Sequence, residues 1–284
     1  MIRRPPRSTL DRSSAASDVY KRQMSDKEKL RFLRHRQAWS MSQFLHGEQG
    51  ALLVASQLTS CAPTYNAKLY AASQTFDEAR HVESFNRYVQ SRMELMYPIG
   101  NALKSILDKI LTDPRWDLKF IGMQLIIEGL ALAAFRTSRD LTPDPVLKDM
   151  LDLIIRDEAR HVTFGVIYLE DFIEYLSDQE KEDRAMFAYV ACVISNERLF
   201  PTDVFRKFGW DEDEASEFSN NAGFASEFQR LLFSRVVPNL SRIGLLTDKV
   251  RPLYDKLGVL EFESHDPDGD IPWAELEKPL DLSA

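Results

Sequence analysis

The chain has little cysteine: Cys61 and Cys192 are its only two in 284 residues, and neither sits in a CxxC pair. This excludes a disulfide framework and a thiolate zinc site and fits a reducing compartment, so a cytoplasmic location is expected. No run of 18 or more apolar residues occurs, because Glu128 and the Ser-Asn-Glu at 195–197 interrupt the most apolar stretches, and no membrane span is expected. Positive charge is in deficit, with 36 Lys and Arg against 44 Asp and Glu and a net charge of −8. General affinity for nucleic acid or an anionic membrane is thereby disfavoured. There is no GxGxxG nucleotide fingerprint, and few runs alternate with the period of a strand. What remains is a 44% hydrophobic content, enough to fill a sizeable core, distributed with helical spacing.

Residues 1–23, rich in Arg, Ser and Pro and without apolar periodicity, stand apart from the rest of the chain. They resemble translated adapter sequence more than a transit peptide, so this leader is expected to be non-native or disordered. Folding is expected from Met24, where Ser25 and Glu28 have capping-box spacing. From 24 to 240 the sequence reads as successive helices, with prolines at 63, 98, 114, 143, 201 and 238 expected to fall between them. Two long hairpins, 27–94 and 115–177, precede two or three later helices. Residues 241–284 read as a short helix and a polar tail. In that tail Asp266, Asp268, Asp270 and Glu277 match calcium-loop spacing, but Ile271 replaces the required glycine and Pro272 comes next, so a solvated acidic tail is expected.

Compared with itself at an offset of 80 residues, the chain repeats. Residues 77–82 and 157–162 both read Asp-Glu-Ala-Arg-His-Val, and Glu48 aligns with Glu128. Two copies of one helical hairpin explain this. Glu48 and Glu78 each lie 15 residues from Pro63, and Glu128 and Glu158 each lie 15 residues from Pro143. In an antiparallel helical hairpin such residues sit at the same height. Helical spacing also gives Glu48 apolar neighbours in Leu45 and Leu52, and Glu128 in Leu125 and Leu132. Glu78 with His81, and Glu158 with His161, share apolar faces in the same way. Four buried carboxylates need compensating positive charge or protons. Two divalent cations supply +4 against −4, and two histidines complete an oxygen and nitrogen set suited to iron or manganese.

One Glu from each of two helices and Glu-x-x-His from each of two others is the pattern of ferritin-like di-metal proteins. Residues 40–175 resemble the ferritin-like, ribonucleotide-reductase-like non-haem di-iron carboxylate superfamily. The resemblance implies an all-α fold, a ferritin-like four-helix bundle with additional C-terminal helices. It implies two iron ions, with manganese an alternative at one position, held by Glu48, Glu78, His81, Glu128, Glu158 and His161. Glu78 and Glu158 would be the bridging, catalytic carboxylates. Asp77 and Asp157 would hold the outer N–H of the ligand histidines, and Arg80 and Arg160 would balance charge. Gln74 and Gln124 are open between hydrogen-bonding to the site and ordinary polar packing, while His35, His46 and His265 are expected to be structural or exposed.

Within the superfamily, Phe85 replaces the tyrosine that lies one turn after the first histidine in radical-generating reductase subunits. Leu132 stands where hydrocarbon hydroxylases carry threonine, and Ile154 where arylamine N-oxygenases carry a third histidine. The two 29-residue gaps between paired ligands are shorter than in acyl-carrier desaturases. The expectation is an oxidoreductase, an oxidase or monooxygenase, that activates dioxygen to hydroxylate, desaturate or N-oxygenate a small organic substrate. Its electrons would come from a ferredoxin or a reductase. An iron-storage ferroxidase and a reductase-like radical protein are the alternatives, and a homodimer is one option for assembly. Aromatic and methionine residues after 180, from Met186 to Phe233, could roof a substrate cavity but fit helix packing better.

Overall fold

The structure is a computed structural model that describes residues 24–197, 200–221 and 224–266, apart from the side chains of 197, 220 and 224–228. The leader 1–23 and the acidic positions Asp268, Asp270 and Glu277 lie outside the described residues. Among those described, every regular element is helical.

Local chemistry sets where each long helix begins and ends. Helix α1, Asp26–Cys61, starts at Ser25, whose hydroxyl accepts from the Glu28 amide while Glu28 reaches back to the Ser25 amide. It stops ahead of Pro63, and α2, Tyr65–Tyr88, begins with Thr64 as its cap. The end of α2 widens into π turns over Val89–Met93 and closes on Glu94 in the left-handed region at φ 53°. After α3, Asn101–Thr112, the long helix α4, Trp116–Leu141, carries a π segment at Ile121–Ile127 directly before Glu128. Helix α5, Pro145–Glu174, has Asp144 as its cap and proline in its first turn. The later helices are α6, Asp178–Glu197; α7, Thr202–Lys207; α8, Glu212–Asn221; α9, Phe224–Arg242; and α10, Arg251–Lys256.

Helix α1 packs along α2, and α4 along α5, while α3 and α6 pack together beside them and α9 lies on α4. Helix α4 is the centre. Every residue from 117 to 130 is buried, and the helix is long and apolar enough to cross a membrane. Its most apolar window is 89% buried inside the protein, as in the core helix of a soluble protein. Two charged groups near its start are matched by partners. Asp117 accepts from Arg184 at 2.8 Å, and the Lys119 ammonium donates to Gln57 and to the carbonyls of Ile110 and Leu111. Residues between 243 and 262 join the same core: Ile243, Leu245, Val250, Tyr254 and Phe262 are buried in one cluster with Phe120, Leu125 and Val166.

Pro238 departs from expectation, standing inside α9 and not between helices. An interior proline costs roughly 3 kcal/mol. Its neighbours Val236, Val237 and Leu240 are fully buried, and that packing outweighs the lost hydrogen bond. The two cysteines are free, Cys61 exposed and Cys192 buried.

Candidate metal centre

Four helices each carry part of one buried cluster. Glu48 comes from α1, Glu78 and His81 from α2, Glu128 from α4, and Glu158 and His161 from α5. None of the six is more than 5% exposed. Their ligand atoms fall into two overlapping sets, Glu48, Glu78, His81 and Glu158, and Glu78, Glu128, Glu158 and His161. Within each set the atoms lie within 4.8 Å of one another, and Glu78 and Glu158 belong to both. The structure thus brings together all six residues singled out by the repeat.

The histidines are aimed by the opposite repeat. His81 Nε2 lies 3.1 Å from Asp157 Oδ2, and His161 Nε2 lies 3.3 Å from Asp77 Oδ2. A carboxylate on Nε2 favours the proton there, which leaves Nδ1 facing inward as a ligand atom. His81 Nδ1 is 3.3 Å from Glu48, 3.4 Å from Glu78 and 3.0 Å from Glu158. His161 Nδ1 is 3.3 Å from Glu78, 3.6 Å from Glu158 and 4.0 Å from Glu128. Arg80 pairs with Asp77 and, at 3.1 Å, with Asp157; Arg160 pairs with Asp157 and, at 3.9 Å, with Asp77. Two aspartates and two arginines therefore form a crossed lattice that ties α2 to α5 outside the histidines.

Electrostatics reveal what the cluster lacks. Burial, and then the charge of Glu158, push Glu48 and Glu128 well above the usual carboxylate range. Burial opposes a charge on His81, but Asp157, Glu158, Glu48 and Glu78 outweigh it and hold the imidazole well above its usual pKa. His161 shifts the same way, burial opposing and Asp77, Glu158 and Glu78 prevailing. Burial opposes the charge of Glu78, but the His161 and His81 rings, 3.3 and 3.4 Å away, outweigh it and hold the carboxyl low. Asp157 is lowered to about 2, burial being outweighed by His81 and Arg160. Glu48, Glu128 and both imidazoles thus shift toward their protonated forms, the response of crowded buried carboxylates to negative charge that nothing nearby balances. Four atoms of the cluster, Glu78 Oε2, Glu128 Oε2, Glu158 Oε1 and His161 Nδ1, are buried and make no hydrogen bond. Such atoms are costly to bury and are what a metal ion would take up. The donor set of four carboxylates and two imidazoles therefore fits a metal site.

Other groups around the cluster were less visible in the sequence. Gln74 donates to Glu128 at 2.7 Å and to Glu78 at 3.2 Å, and Gln124 donates to Gln74 at 3.1 Å. Tyr70 stands edge-on to His161, ring centroids 6.4 Å apart, and stacks on Phe164 at 3.6 Å. Its only sequence signal is its spacing, eight residues before Glu78 on the face of Gln74. His35 bonds the Tyr97 hydroxyl at 2.7 Å, and His46 the Tyr97 carbonyl at 3.0 Å, so both brace the 94–100 loop.

A cavity of about 1160 Å³ opens beside the cluster and has Glu48, Glu128 and Glu158 in its wall. Near them the wall mixes small residues, Gly47 and Ala51 on α1 and Ala131 and Ala134 on α4, with the bulkier Phe44, Ile127 and Phe135. Of the described aromatic and methionine residues after 180, Phe200 lines this cavity; Phe205 and Phe233 are core residues, and Met186 is exposed. No protein-family model and no curated protein matches the chain.

Proposed function

We propose that this chain is a ferritin-like di-iron protein, with α1, α2, α4 and α5 as its four-helix bundle, that uses dioxygen to oxidise a small organic molecule. The observation that carries the reading is the pair of overlapping buried ligand sets sharing Glu78 and Glu158 beside an open cavity. In this reading Glu48 and His81 would hold one ion and Glu128 and His161 the other, with Glu78 and Glu158, common to both ligand sets, available to both. When bound, a ferrous pair supplies the electrons that reduce dioxygen, with manganese an alternative at one position.

The chain's own residues do the rest. Asp157 and Asp77 hold the proton on Nε2 of His81 and His161, so Nδ1 stays free to bind. Gln74 orients Glu128 through its 2.7 Å hydrogen bond. The lattice of Asp77, Arg80, Asp157 and Arg160 closes the α2 and α5 side, and the cavity lets an organic molecule approach from the α1 and α4 side. With no nucleotide fingerprint in the sequence, electrons are assigned to a separate ferredoxin or reductase.

The test is stoichiometry together with oxygen uptake. Purified protein should take up about two ferrous ions per chain and then consume dioxygen, whereas Glu78→Ala should lose the two-ion stoichiometry. Uptake of many more ions would favour iron storage. Absence of oxygen consumption by the loaded protein would overturn the oxidase reading.

A further inference from the structure

The cavity has a shape and a polarity of its own. Along α1 its wall runs from Leu30 to Ala51, 21 residues, or about 32 Å of helix. A volume of about 1160 Å³ over that length leaves a mean cross-section of only about 40 Å². The space is therefore long for its mean width, and a slender molecule fits it lengthwise. Its outer end is marked by the exposed side chains of Leu30, Leu33 and Leu141.

Two hydrogen-bond donors in its wall have no partner among the described residues. The indole Nε1 of Trp39 is buried and unbonded, and so is the hydroxyl of Ser195, whose side chain is 3% exposed. A buried donor without an acceptor is penalised, and a ligand oxygen relieves the penalty. Trp39 lies nine residues before Glu48, about 14 Å along α1. Ionised groups in the wall away from the cluster are balanced, with Arg34, Arg36 and Arg206 against Asp144, Asp203 and Glu212. Arg34 is paired to Glu94, and Arg206 to Asp203 and Glu212. Nothing there calls for an ionic head group.

We infer that the channel takes a slender, mainly apolar, uncharged molecule bearing an acceptor oxygen such as a carbonyl. Trp39 and Ser195 are its positioning residues, placing the far end of the molecule at the carboxylates. This rests on the proposed function only for what happens to the molecule; the binding itself needs no metal.

The experiment uses metal-free protein with two probes, 2-octanone and octane, their free concentrations fixed by headspace partition. The double variant Trp39→Phe with Ser195→Ala should weaken 2-octanone binding about tenfold or more and leave octane unchanged. In the unaltered protein, the infrared carbonyl stretch of bound 2-octanone should fall below its value in hydrocarbon solvent, a readout that holds even if the double variant folds poorly. A third, longer probe, 2-tridecanone, reaches from Trp39 to the height of Gly47, about 12 Å along α1, and Gly47→Leu should weaken its binding about tenfold or more, because a Cβ at Gly47 meets nothing within 4 Å and a larger side chain there enters the channel. Equal loss of both probes in the double variant, or an unshifted carbonyl stretch, overturns the donor assignment. Unchanged binding of 2-tridecanone in Gly47→Leu overturns the channel. Iron stoichiometry is titrated separately on each protein, so failure of the metal reading is distinguishable from failure of this one.

Discussion

The two sides of the acidic cluster are built in opposite ways. Toward α2 and α5 the histidines are backed by two aspartates, and those by two arginines about half exposed at the surface. Toward α1 and α4 carboxylates of the cluster border an open channel whose wall sets Gly47, Ala51, Ala131 and Ala134 among Phe44, Ile127 and Phe135. On one side charge is layered against charge until water is reached, while on the other volume has been removed. Rigidity of ligand orientation and access for a guest are thus assigned to different helix pairs, and each can be altered without touching the other.

The largest expected effect lies on the layered side. Asp157→Ala should weaken iron binding about 10- to 100-fold, because His81 loses the acceptor that fixes its ring, while binding of 2-octanone stays as it was. Measuring both on one preparation breaks the comparison if the two change together. On the open side, Ala134→Phe should lower substrate turnover by about tenfold or more, with iron stoichiometry unchanged and thermal stability held or raised, since the added ring fills space. Between the sides stands Gln74. Gln74→Leu leaves Glu128 without its donor and should cost about 1–3 kcal/mol in the metal-free protein by denaturant titration. Iron should recover part of this by binding the freed oxygen.

The smallest effect is expected where the α1 wall nears its outer end. His35 is held below its usual pKa by burial first and then by Lys207, Arg31 and Arg34, and its ring bonds the Tyr97 hydroxyl. The folded state therefore binds this proton less readily than the unfolded chain. Stability from this group is full above the unfolded pKa of about 6.5 and is lost as pH falls through the lower folded value. Between pH 7 and 5 the melting temperature of the parent should fall more than that of His35→Gln. Parallel curves would show that the contact does not titrate in this range.

Much of this architecture is legible in the order of the residues. The caps at Ser25, Thr64 and Asp144, and the equal distances of four glutamates from Pro63 and Pro143, obey local rules that packing did not override. The crossing of each histidine to the other repeat's aspartate could not be read in this way. Asp77 and His81 are four residues apart, and the repeat makes a partner within the same helix as natural as one across the interface. The channel was also hidden, because its wall is assembled from segments far apart in sequence, from α1 and α4 to residues 98–103 and 200–206. Trp39 and Ser195 carried no motif at all. Their signal is a missing partner, which exists only in three dimensions. Pro238 misled because the usual cost of an interior proline says nothing of how deeply its neighbours are buried.

The π segment of α4 has a consequence for how the chain can vary. Wide turns take in an extra residue without rotating the helix beyond them, so the stretch 121–127 acts as slack in front of Glu128. A one-residue deletion there can be absorbed by rewinding to ordinary helix, leaving Glu128 level with Glu158. The same deletion within 129–141 would swing Glu128 by about 100° relative to its hairpin partner. Length is therefore negotiable on one side of this ligand and fixed on the other.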